Sequence, residues 1–424
     1  MVTFLLLSFT VFLVLGVPIG FAMGLSGALA LAFFGDISLV IIPQRIYSSL
    51  DNFSLLAVPL FVVAGELMST GGITAKIVQF SRSVVGHIKG GLAQANVVSN
   101  MFMAALSGSA VADLVAIGSV MIPAMTKEGY RKDYTVAVTS CAALLGPIIP
   151  PSIVAVIYGS LTGVSIGALF VAGVIPGLIA GFGLMVLAYL LADRGGATRL
   201  PRASLRKIGQ DGLAATPALM VPLIIMGGIL GGVFTPTEAG AVAALYAFIY
   251  GLVRRRHTAG GLYALLLASA ITTASALITL GGAAIFSYVL VNAGFAQFVL
   301  KSLLAITDNA SVAMLLLMVG LFILGLPIEP IPALIMVVPI VAPVLAHYGI
   351  NEIQFGMAAI MMLVLGSLTP PIGVLAMIAC RMAKLEYGKS ILMMTPFMLW
   401  WLSVTMLVAF VPAISLWLPS LVIP

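Results

Sequence analysis

Charge is what this chain has least of. Only 8% of its 424 residues are Asp, Glu, Lys or Arg, against 62% apolar. A soluble domain of this length needs more charged surface than that, so the shortage excludes one, and a mean hydropathy of +1.23 places the chain among polytopic membrane proteins. Histidine is also scarce: His87, His257 and His347 all fall in loops, so no imidazole lies in an apolar run to activate a serine such as Ser107. With no H-E-x-x-H and no pair of aspartates in facing apolar helices, an intramembrane protease is excluded and the chain is not expected to be an enzyme. Cys141 and Cys380 stand alone in apolar runs without metal-type spacing and read as packing residues, so no transition metal is expected. No nucleotide-binding loop or soluble ATPase domain is present, which argues against a primary pump, and no nucleic-acid partner is expected.

What the chain does have is glycine and proline where a spanning helix cannot tolerate them. Leu145-Gly-Pro-Ile-Ile-Pro-Pro-Ser-Ile153 interrupts the apolar run Thr135–Leu161, and Gly366-Ser-Leu-Thr-Pro-Pro-Ile-Gly373 interrupts Phe355–Ala379. Each proline removes a backbone donor and its ring clashes one turn back. In lipid such a break survives only where the freed backbone lines a cavity enclosed by protein. Paired interruptions in two halves of a chain point to the binding site of a secondary transporter.

The basic residues supply the topology. A basic amphipathic segment, Lys76 to Lys89, reads as an interfacial arm, and basic loops at 127–132, 194–207, 254–256 and 381–389 separate the apolar runs. With those on the cytoplasmic face, 17 of the 19 Lys and Arg lie inside and only Arg45 and Lys301 outside. The run 92–126, polar at Leu106-Ser-Gly-Ser-Ala110, starts and ends inside. It is either a re-entrant hairpin with its tip at Ser107–Ser109 or two spans of about 17 residues, the lower limit. Residues 3–34, interrupted at Gly16-Val-Pro-Ile-Gly20, are one tilted helix or two segments, and Met1–Leu15 lacks the basic start of a signal peptide. A polar stretch follows at Asp36–Asp51, and the last span, about 391–411, leaves the C-terminus outside.

At an offset of 220 residues Pro123, Gly129, Gly146, Pro150 and Pro151 coincide with Pro343, Gly349, Gly366, Pro370 and Pro371, without a gap. The tips at 107–109 and 325–330 come into register as well, which favours the hairpin. An odd number of spans between the two units inverts the second relative to the first.

Four segments carry a resemblance: Ser107-Gly-Ser-Ala-Val-Ala-Asp113, Pro123-Ala-Met with Gly129-Tyr130, Gly146-Pro-Ile-Ile-Pro-Pro-Ser152 and Gly366-Ser-Leu-Thr-Pro-Pro-Ile-Gly373. Together they resemble the large membrane subunit of tripartite ATP-independent periplasmic (TRAP) transporters. The resemblance implies an all-α, inverted-repeat, elevator-type transporter of the bacterial inner membrane, coupled to sodium, with two re-entrant hairpins and two discontinuous helices. It also implies two partners, a small membrane subunit and a periplasmic binding protein that delivers an organic acid such as a C4-dicarboxylate or sialic acid. A stand-alone sodium- or proton-coupled carboxylate symporter or antiporter has the same core and is the alternative. The expected division is N-terminal scaffold spans (1–75), the arm helix (76–91), a first transport unit (92–162), scaffold spans with a second arm (163–309), a second, inverted unit (310–380) and a C-terminal span (381–424).

A broken helix presents carbonyl oxygens at the end of its first half and free N–H groups at the start of its second, which suit a hard cation and an anion respectively. The first cation site is expected at Ser107, Ser109, Gly146, Ile149 and Pro151, the second at Gly325, Gly366, Thr369 and Ile372. The residues alone specify a hard cation, with a proton as rival; the resemblance makes it sodium. Pro150 and Pro370 are expected to open the second half-helices with the prolines that follow them, and with Ser152 to lie by the substrate or its gate. Asp113, about a turn beyond the first tip, is expected to order or gate the first site, and Glu329, in the second tip, to sit at a gate. Glu66 and Glu238 are weaker candidates, Glu238 reading as a helix cap. No Lys or Arg falls inside a span, so an anionic substrate would be held by helix N-termini, hydroxyls and a co-bound cation.

Overall fold

The computed structural model describes residues 1–35, 38–196, 199–254 and 258–422, and every regular element in them is helical. In chain order these are α1 (Val2–Val14), α2 (Ile19–Phe34), α3 (Ile41–Leu50), a 310 turn at Phe53–Leu56 that runs into α4 (Ala57–Thr70), and α5 (Ile73–Val85). Next come α6 (Gly91–Ser107), α7 (Ala110–Lys127), α8 (Lys132–Ala143), α9 (Ile153–Thr162), α10 (Ile166–Leu190), α11 (Leu205–Leu230) and α12 (Pro236–Val253). The chain then forms α13 (Ala259–Asn292), α14 (Phe295–Ile306), α15 (Ala310–Gly325), α16 (Pro330–Tyr348), α17 (Glu352–Gly366), α18 (Val374–Ala383), α19 (Tyr387–Phe410) and α20 (Pro412–Val422). Among the described residues, eight helical stretches are long and apolar enough to cross a membrane. Arg255, Arg256 and His257 lie outside the described residues, as does Asp36.

Residues 3–34 are two helices. Gly16 takes a left-handed turn (φ +80°) ahead of Pro18, and the Phe4 ring meets Phe33 and Phe34, so α1 and α2 pack antiparallel. The stretch expected to be merely polar, 36–51, contains α3, a short amphipathic helix that packs on α13 and sets Arg45 4.4 Å above the Tyr288 ring. Its ten residues are too few to announce a helix by periodicity. A helix absent from the expected plan, α20, follows the last span and packs on α10; Val411 is extended, and Pro412 opens a new helix where its missing N–H is no loss.

The two units are built as the repeat requires. In the first, α6 and α7 form a hairpin turned at Gly108 (φ +62°), and α8 and α9 are the halves of the interrupted helix. In the second, α15 and α16 are the hairpin and α17 and α18 the halves. Length alone leaves α6 and α7 free to be two spans, but their tip touches Gly146, close to the midpoint of the interrupted helix, so the pair re-enters. Buried polar contacts fasten the elements of the two units together: Asn96 donates to Thr139 Oγ1 at 2.7 Å, joining α6 to α8. Tyr158 donates to the Glu352 carbonyl at 2.7 Å and its ring covers Gly356, joining the first unit to the second. The pair α11 and α12 packs outside this core, and the arm α5 lies along α6 and α11 with Ile73, Ile77 and Val85 buried.

Side-chain hydrogen bonds hold α19 against the core, among them two from its tryptophans. Trp401 is fully buried and its indole N–H donates to the Cys141 carbonyl at 2.9 Å, while Trp400 donates to Ala180 at 3.1 Å. Trp401→Ala should cost roughly 3–5 kcal/mol, read as a fall in the unfolding midpoint of the detergent-solubilised protein. Trp417→Ala, on a side chain 56% exposed, should leave the midpoint within experimental scatter.

Candidate functional site

The first tip closes onto the first break through glycine. At Gly108 an added methyl would stand 2.6 Å from the Pro151 carbonyl oxygen and 3.0 Å from the Ile153 nitrogen. At Gly146 it would stand 2.6 Å from Asp113 Oδ2 and 2.9 Å from the Ser109 carbonyl oxygen. Those distances are shorter than carbon tolerates, so both positions must lack a Cβ for the backbones to meet. Within the tip, Ser107 donates to Asp113 Oδ1 at 2.5 Å and accepts from the Ser109 N–H at 3.1 Å. Asp113 is fully buried, and its second oxygen, Oδ2, has no hydrogen-bond partner among the described residues. The tip thus meets the break at two places, Ser109 and Asp113 at Gly146 and Gly108 at Pro151. Ile149 lies in the same break with its side chain against Gly177 of α10.

The second tip repeats the approach with different chemistry. A methyl on Gly366 would fall 2.6 Å from the Gly325 carbonyl carbon, so the two predicted glycines are again in backbone contact. Thr369 spends its hydroxyl on the Leu365 carbonyl at 2.8 Å, and Ile372 is 36% exposed. At the 220-residue offset Asp113 is replaced by Ala333, and Ser109 by Glu329. Ser109 and Glu329 both occupy the N-cap of the returning helix, yet only Ser109 caps it; Glu329 makes no cap bond.

Pro150–Pro151 and Pro370–Pro371, both cis, do not open the second half-helices as expected. Ser152 caps α9, accepting from the Ala155 N–H at 3.1 Å and donating to the Pro147 carbonyl at 2.6 Å, and Gly373 (φ +53°) precedes α18. A serine oxygen satisfies an orphan N–H at the helix start, which a proline ring cannot. Glu238 forms a capping box with Thr235, as its position implied.

Both tips and both breaks border one cavity of about 440 Å3, lined by Ser107–Ala112 and Pro147 from the first unit and Glu329 and Ser367 from the second. Glu66 closes the wall from α4, whose Gly65 lies against Ser107, and Thr272 closes it from α13. No lysine, arginine or histidine lines it among the described residues. Thr272 was missed by sequence reasoning; the hydroxyl run Ser269, Thr272, Thr273 and Ser275 in an otherwise apolar span is the signal that marks it.

The chain matches the family model described as the tripartite ATP-independent periplasmic transporter, DctM component, over residues 6–414. It is 36% identical over 407 residues to the sialic acid TRAP transporter large permease protein SiaM of Vibrio cholerae, covering 96% of this chain and 95% of that one. It is 34% identical to the C4-dicarboxylate TRAP transporter large permease protein DctM of Pseudomonas aeruginosa, covering 94% of each. Among solved structures, the Alcanivorax borkumensis YdaH transporter superposes with a TM-score of 0.67 at 16% identity, covering 96% of this chain and 97% of that one, a likeness of fold. The inverted pair of hairpins and the length of these matches give one conclusion: this chain belongs to the large permease (DctM) subunits of TRAP transporters.

Proposed function

We propose that this permease, an inner-membrane transporter of organic acids, imports a carboxylate in symport with sodium, working with a small membrane subunit and a periplasmic binding protein. Relatives named for sialic acid, 2,3-diketo-L-gulonate and C4-dicarboxylates support the carboxylate class. The observation that carries the coupling is the oxygen cluster at the first tip. Ser107 and Ser109, with the unmatched Asp113 Oδ2, face backbone at Gly146 and Pro151. Oxygen donors without nitrogen or sulfur suit a hard cation.

The cavity's charge supports coupling as well. Glu66 and Glu329 both line it and, among the described residues, no cationic side chain does, so a carboxylate entering alone meets hydroxyls but no opposite charge. A cation bound first at the tip supplies the missing attraction, which is thermodynamic coupling between the two ligands.

Uptake by the purified permease and its small subunit, reconstituted in vesicles with a binding protein and an imposed sodium gradient, tests this reading. Sodium-driven uptake that needs the binding protein is expected. Uptake driven equally by a proton gradient would overturn the sodium assignment, and full uptake without any binding protein would favour the stand-alone symporter. Asp113→Asn, which removes the charge and keeps the shape, should raise the sodium requirement by roughly 10- to 100-fold, the worth of a charge-assisted contact. Ser107→Leu or Ser109→Leu should abolish uptake with the protein still in the membrane; unchanged uptake would sink the first site.

An elevator places the hairpin units at two depths against α4. Val111 and Val115 of α7 line the cavity opposite Val58 and Val62 of α4. A cysteine at Val115 should crosslink to different α4 positions with and without sodium, separated by more than one helical turn; a single partner under all conditions would exclude the elevator.

A further inference from the structure

The carboxylates and tips account for the core, but not for the arginines below it. Residues 199–204, which lead into α11, form a strap pinned to the end of the arm helix: the Leu200 N–H donates to the Gly86 carbonyl at 3.0 Å, and the Leu200 side chain rests on Gly86. That tie brings Arg199 and Arg202 beside the last turn of α5, which carries Arg82. Four residues on, Arg206 stands in the first turn of α11, where no acidic residue balances it and the helix dipole opposes a cation.

Two nearby acids are paired elsewhere: Asp193 with Lys89 at 2.6 Å, and buried Asp211, whose Oδ1 accepts from Lys207 at 2.9 Å and from Gln79 at 2.8 Å. Arg82, Arg199, Arg202 and Arg206 are exposed and have no ion-pair partner among the described residues. The apolar surface beside them is open too. Leu205 is 86% and Leu213 76% exposed, and α11 is the least buried of the eight membrane-length helices. Unpaired arginines on the cytoplasmic side, directly below an open apolar helix face, match an anionic head group with acyl chains attached.

We propose that this strap is a binding site for an anionic phospholipid of the cytoplasmic leaflet. The head group is taken by Arg82, Arg199 and Arg202, and the chains lie along the Leu205–Leu213 face of α11. A lipid so held fixes the arm to the membrane surface while leaving the cavity untouched. Attraction of this kind weakens with salt, and each basic side chain contributes roughly fivefold in affinity.

Native mass spectrometry of the purified permease, titrated with phosphatidylglycerol or phosphatidylcholine, tests the site without reference to transport. Preferential retention of phosphatidylglycerol is expected, with affinity falling roughly 30-fold in the double variant Arg199→Gln/Arg202→Gln. The charge-keeping variant Arg199→Lys/Arg202→Lys should stay within a few-fold of the parent. Arg254→Gln, at an exposed arginine seated over Tyr250 on another loop, should change nothing. Equal retention of the two lipids, an unaltered glutamine variant, or displacement of phosphatidylglycerol by millimolar inorganic phosphate would overturn the proposal. So would an acidic protein segment that occupies the strap and excludes lipid.

Discussion

An interrupted helix in hydrocarbon leaves backbone groups that nothing in the lipid can satisfy, and the rest of this architecture follows from covering them. Each break is covered by the tip of a hairpin that enters from the opposite end of its unit, and each cover depends on glycine. Gly146 admits the Ser109 carbonyl and Asp113; Gly366 admits Gly325. A Cβ at either glycine would push the tip away and leave the break open to lipid. The hairpins, the paired breaks and the inversion are thus one solution to one constraint, used twice.

The two uses have diverged in a way that bears on mechanism. The first tip carries a buried carboxylate whose free oxygen points at the break, and its second half-helix is capped by Ser152. The second has Ala333 in place of that acid, an exposed Ile372 in place of that serine, and Glu329 lining the cavity. The first tip thus sets a buried carboxyl beside backbone oxygens, whereas the second sets backbone against backbone and leaves its acid on the cavity wall.

Much of this was legible in the residues because the signals are local and chemical. Prolines and glycines mark breaks in any apolar run, and a gapless 220-residue repeat cannot be hidden by apolar composition. The interruption at Gly16–Gly20 was visible as well, but it left one helix or two open. What stayed illegible depends on contacts distant in sequence or on short elements. Helix α3 has too few residues to show a period, and the choice of Ser152 over the prolines as cap is decided by one hydrogen bond. The hydroxyl run that includes Thr272 is visible in the sequence, but that it lines the cavity depends on α13 packing beside α4.

Among the described residues no basic side chain lines the cavity, which fits the positive-inside pattern. An arginine there would pair with Asp113, Glu66 or Glu329, and without one these acids have no cationic side chain beside them in the cavity wall. Positive charge is concentrated at the cytoplasmic surface instead, where Arg82, Arg199, Arg202 and Arg206 face the interface beside the least buried helix.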